Sequence, residues 1–141
     1  MFNQTFEKRM ELWKQFRSTL EDSLTPFEDT IEFWNKVPLV SIQADPYDRK
    51  TWPDPWEMIH DNLYCSFVKI LAICYTLQLT DKFSQDRFEI NIVQDKENYQ
   101  KKYLLYINNI CIGYDALKPT FVSDLPNHLE IELTYMVSAS L

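Results

Sequence analysis

Glycine is almost missing from this sequence: Gly113 is the only one in 141 residues. Loops built without it lack the easiest route to positive φ, and glycine-rich phosphate cradles, whether P-loop or dinucleotide-binding, are excluded by count. Histidine is nearly as scarce. His60 and His128 stand alone, with neither HxxxH nor CxxC spacing in the chain, and Asp45, Asp48 and Asp54 lack the alternation, glycine and closing glutamate of a calcium loop. No metal and no other cofactor is expected. Basic charge is short as well. Fourteen Lys and Arg against 21 Asp and Glu leave a net charge of −7, which disfavours nucleic acid as a partner because that binding runs on clustered cations. The longest apolar run is broken by Lys69 and is too short to span a bilayer, so no membrane partner is expected either. The first residues, MFNQTFEKRMELWKQF, carry neither the apolar core nor the small-residue cleavage site of a signal peptide. A soluble protein, resident in the cytoplasm of the cell that makes it, is the expectation. Cys65, Cys74 and Cys111 show no paired spacing and read as reduced, buried thiols.

What is present is an aromatic, 45% hydrophobic chain without repeats or low-complexity tracts, long enough for one domain, residues 1–141, with a single core. The stretch 52–79 organises it. Asp54 can cap a helix, Pro55 suits the first helical position and Glu57 completes a capping box. Ile59, Leu63, Phe67, Ile70, Leu71, Cys74 and Leu77 then recur at helical spacing, while Val68, Ala72, Ile73 and Tyr75 make the final turns apolar all round. The pattern predicts one long central helix with Cys65 about three turns inside it. Ahead of it, Phe6, Met10, Trp13, Phe16 and Leu20 mark an amphipathic helix over 5–22. Thr25-Pro26-Phe27-Glu28 repeats the capping logic for a second helix that must end before Pro38. Residues 39–42 read as extended, and 44–52 as an irregular aromatic loop.

From Phe88 the period changes to two. Tyr103, Leu105 and Ile107 mirror Ile110, Ile112 and Tyr114 about Asn108-Asn109, so a two-residue type I′ turn places all six on one face. A last strand alternates through Leu129, Ile131, Leu133, Tyr135 and Val137, with Glu130, Glu132 and Thr134 on its other face. The expected class is α+β, with N-terminal helices and the long central helix packed on one face of a roughly four-stranded antiparallel sheet.

Chemistry is thin in this chain. Cys65 with His60 or His128 as base and Asp61 as orienter is the single nucleophilic constellation, a small thiol hydrolase, against the plainer reading of a half-buried structural cysteine. Glu130 and Glu132 could do acid–base work, but a solvated strand face is the favoured reading of them. Tyr47, Arg49, Trp52 and Trp56 are of the residue types that dominate binding energy at protein interfaces, although both tryptophans also suit a lid beside the capping box.

The run Trp52-Pro53-Asp54-Pro55-Trp56-Glu57-Met58-Ile59, followed by Tyr75-Thr76-Leu77-Gln78-Leu79 and then a strand, resembles small uncharacterised proteins of marine T4-like tailed phages over residues 52–115. That resemblance carries no catalytic residues across. It implies a phage protein made in a bacterial cytoplasm, a component or assembly factor of the virion. Together with the missing chemistry it favours a non-enzymatic protein–protein interaction module whose partners are proteins, as a homo-oligomer or on a larger particle. A host-protein-binding inhibitor is the other reading in the same class.

Overall fold

The computed structural model describes residues 1–138 and is an α+β fold of four helices and a five-stranded antiparallel sheet. Helix α1, Phe6–Leu20, starts where the Thr5 hydroxyl accepts the Lys8 amide, and it buries Trp13 and Leu20. Helix α2, Pro26–Trp34, begins on the expected proline and ends at Asn35, before Pro38. Its cap differs from expectation: Thr25 makes no capping bond, and its hydroxyl donates to the Asp29 carboxylate instead.

The predicted central helix is two helices. Helix α3, Pro55–Asp61, opens on the full capping box, in which Asp54 accepts the Trp56 and Glu57 amides and Glu57 accepts the Asp54 amide. It stops at Asn62, which takes the left-handed conformation (φ 55°), and helix α4, Ser66–Gln78, starts afresh from Cys65. Arg9 explains the break. Its guanidinium, buried against the helix end, donates to the carbonyl of Ile59 at 3.0 and 3.1 Å and to that of His60 at 3.1 Å, groups a continuing helix would have used itself. Asn62 donates to the Phe2 carbonyl, and the extended residues Leu39 and Val40 pair with Tyr64 inside the break. Leu63, expected on the buried face, is consequently 45% exposed.

Helix α4 is buried at ten of its thirteen positions, as an all-round apolar helix demands. Its core node is Thr76, whose hydroxyl accepts the indole N–H of Trp13 (3.0 Å) and of Trp34 (2.9 Å) and donates to the Ala72 carbonyl. One hydrophobic cluster joins these helices to Phe88, Ile90, Leu105, Ile107 and Ile112 on the inner face of the sheet.

Strands β1 (Phe88–Asp95), β2 (Gln100–Ile107), β3 (Ile110–Ile112), β4 (Thr120–Phe121) and β5 (Leu129–Met136) lie in the order β4-β3-β2-β1-β5. The β2–β3 hairpin has the expected register, Leu105 opposite Ile112 and Ile107 opposite Ile110. Only Asn108 takes positive φ in its turn, where type I′ would need both asparagines to do so. The expected 103–114 pair does not form because β3 ends at Gly113 (φ 115°), where a Cβ would lie 2.7 Å from the Tyr103 carbonyl oxygen.

Strand β5 departs further. The ladder with β1 pairs Val93 with Ile131 and Ile92 with Leu133, skipping Glu132 in a β-bulge. Residues beyond the bulge keep the expected facing, but Leu129 and Ile131 are switched to the outer side. The sheet is not one-sided either: Val93, Leu104 and Cys111 form a second core on its outer face, covered by Val122, Leu125 and Leu129.

Candidate functional site

Residues 44–52 form a loop tied to itself and laid beside β5. Asp45 accepts the Tyr47 amide through its carboxylate and the Trp52 indole N–H through its carbonyl, while Asp48 accepts the Lys50 amide. Trp52 is half-buried, 4.9 Å from both the Phe67 and Tyr135 rings. The exposed Arg49 guanidinium lies 5.3 Å from the Trp52 ring and 5.7 Å from that of Tyr135 on β5. Exposed Tyr47 donates through its hydroxyl to Glu132 at 3.1 Å, and Lys101 of β2 donates to both oxygens of the same carboxylate at 2.8 and 2.9 Å. The Glu132 carboxylate, and after it the Tyr47 hydroxyl, push the Lys101 ammonium up to about 12. Lys101 in turn holds Glu132 below the usual carboxylate range, against a smaller opposing effect of burial.

Three of the four expected contact residues, Tyr47, Arg49 and Trp52, therefore share one surface with β5. Trp56 does not join them. It packs on α1, its ring 5.8 Å from that of Trp13, with the Arg17 guanidinium beside both. The ion pair of Glu132 with Lys101 had no signal in sequence spacing, because it depends on a bulge and reaches across β1 to β2. Glu130 is paired separately, with Lys96, so the two acids do not act as one group.

The outer edge of β5 is the distinctive feature of this surface. Nothing pairs with it among the described residues, and three large apolar side chains along it are open to solvent: Ile131 at 48%, Leu133 at 40% and Met136 at 46%. The other edge strand, β4, is two residues long.

The thiol candidates lie apart. Cys65 is the buried N-cap of α4, not a residue three turns inside a helix, and it lines a pocket of about 260 Å³ with Val40, Ile42, Phe67 and Tyr103. No histidine lines that pocket, and no hydrogen bond joins Cys65 to either imidazole. His60 is exposed beside Asp61 and packs on Phe6. His128 sits just before β5, its Nδ1 2.9 Å from Asp95 and its Nε2 3.1 Å from Glu97. Cys74 and Cys111 are buried, and burial pushes the Cys111 thiol up to about 11. Among the described residues no group of three or more His, Cys, Asp or Glu side chains is placed to hold a metal ion, and no helix is long and apolar enough to cross a membrane.

No protein family matches this chain, and neither does any curated protein or solved structure.

Proposed function

We propose that this chain is a non-enzymatic protein–protein interaction module, and that it assembles with a second copy of itself through the outer edge of β5. The observation that carries the reading is that unpaired edge, flanked by Ile131, Leu133 and Met136. Free backbone donors and acceptors on an edge strand are a template for another strand, and proteins that remain monomeric blunt such edges with unpaired charge. Here the edge is electrically quiet. Glu130 and Glu132 are each neutralised within the chain by Lys96 and Lys101, so a second β5 does not bring uncompensated carboxylates together. A two-fold axis makes the contact self-complementary and closed, with Tyr47 and Arg49 at its margin. The bulge at Glu132 confines regular pairing to the residues on either side of it. The resemblance of residues 52–115 to phage proteins supplies the setting, a virion component or assembly factor in a bacterial host.

Size-exclusion chromatography with light scattering tests this. A concentration-dependent dimer is expected, reduced to monomer by Ile131→Lys or Leu133→Lys and weakened by Tyr47→Ala and Arg49→Ala. The melting temperature should move by only a few degrees, because these side chains are about half exposed. A strict monomer at every concentration would overturn assembly through β5. A monomer that captures a bacterial host protein would replace it with the inhibitor reading, and co-purification with phage particles tests the virion setting.

A further inference from the structure

We propose that the cleft bounded by α2, the first half of α4 and the strands β2 and β3 binds a small amphiphilic anion, a carboxylate or phosphate carried on a short apolar chain. The cleft has a volume of about 320 Å³, at the small end of the roughly 300–1,000 Å³ typical of small-molecule sites. Its walls are apolar, from Ile31 of α2, Ile70 and Ile73 of α4, and Ile112 of β3. At Gly113 the wall is bare backbone, since a Cβ there would meet both the Tyr103 carbonyl and Ile70. Such a space suits a hydrocarbon chain rather than a sugar or nucleotide.

Charge is placed there against the trend of the whole chain. The protein carries −7 overall, yet Lys69, Lys101 and Lys102 all line this one cleft. Lys69 is the single charged residue of α4, on a helix otherwise buried along most of its length. It makes no ion pair among the described residues, and neither does Lys102, which lies near the Tyr114 ring. Lys101 is already held by Glu132, and Lys102 pairs across the ladder with Val93 of the outer face, so Lys69 is the partner available to an anion. The acid in the lining, Asp115, is engaged by the Leu117 amide at 2.8 Å. Partial burial holds the Lys69 ammonium below its ordinary pKa, as expected of a cation that gives up part of its hydration. A lysine that only extends past apolar surface to reach solvent would need no such space beneath it. Here the apolar cleft and the unpaired ammonium adjoin, which is the arrangement that recognises a charged head and an apolar tail together.

The test is an NMR titration of the ¹⁵N-labelled full chain with octanoate and with hexyl phosphate, with acetate and 1-octanol as the head-only and tail-only controls. Saturable shifts at the amides of Ser66, Lys69, Ile73 and Gly113 are expected with one or both amphiphilic anions. Acetate and 1-octanol should each bind about tenfold or more weakly than the better anion, and Lys69→Met should weaken that anion by a similar factor, on the scale of a lost charge-assisted contact. Lys69→Arg should retain binding, and Lys69→Gln provides the same comparison should Lys69→Met fail to fold. Absence of saturable shifts in the cleft with both anions would overturn the proposal, as would equal affinity for 1-octanol or undiminished binding by the charge-removing Lys69 variant. The outcome is independent of assembly through β5, because neither control nor variant touches that edge.

Discussion

A threonine hydroxyl offers one donor and two acceptor positions, and Thr76 fills all three with Ala72, Trp13 and Trp34. All three side chains are fully buried, so neither indole N–H has water to fall back on. Thr76→Val keeps the shape and removes the acceptor, leaving two buried donors unpaired at a cost of about 2–4 kcal/mol. That corresponds to a fall in melting temperature of roughly 5–15 °C for a domain of this size. Thr76→Ser, which retains the hydroxyl, should lose clearly less, and thermal melts of the pair separate the polar contribution from packing. A valine variant as stable as wild type would mean that the indoles find other partners. Thr76 carried no core signal in the sequence, where only Trp13 and Trp34 were legible as core candidates from helical spacing. Their meeting was not, because hydrogen bonds spanning 63 and 42 residues leave no trace in local pattern.

At the scale of elements, what the sequence made legible was what neighbouring residues decide among themselves. The capping box at Asp54, the β2–β3 register and the buried character of α4 all rest on contacts within a few positions. The break at Asn62 and the bulge at Glu132 rest on distant partners, Arg9 in one case and the β1 ladder in the other. Apolar spacing runs through both irregularities, so period alone extends a helix across the first and one strand face across the second. The proposed contact surface follows the same division: Tyr47 and Arg49 were visible as residue types, but the edge they flank became definite only with the strand order. Arg9 can be tested directly. Arg9→Met keeps the apolar stem and leaves the Ile59 carbonyl buried without its donor, which should cost about 2–4 kcal/mol in urea unfolding. Arg9→Lys should recover only part, since a single ammonium cannot reproduce the forked contact with Ile59 and His60. If Arg9→Met unfolds at the same urea concentration as wild type, Arg9 is not what secures the end of α3.

For the whole molecule the net charge of −7 decides how two copies approach. Compact chains of this length touch with their centres roughly 35–40 Å apart, well beyond the Debye length of about 8 Å at physiological salt but comparable to that of about 30 Å at 0.01 M. Their mutual repulsion is therefore negligible in the first condition and about 1–2 kcal/mol in the second. The proposed β5 contact itself should change little, because its carboxylates are neutralised within each chain and its exposed side chains are apolar. Self-association should consequently tighten by about tenfold between 0.01 and 0.15 M salt and then level off. An interface built on charge pairs between copies would weaken over the same range. Sedimentation equilibrium across that salt series distinguishes the two, and a dimer that loosens as salt rises would place the contact away from the apolar edge of β5.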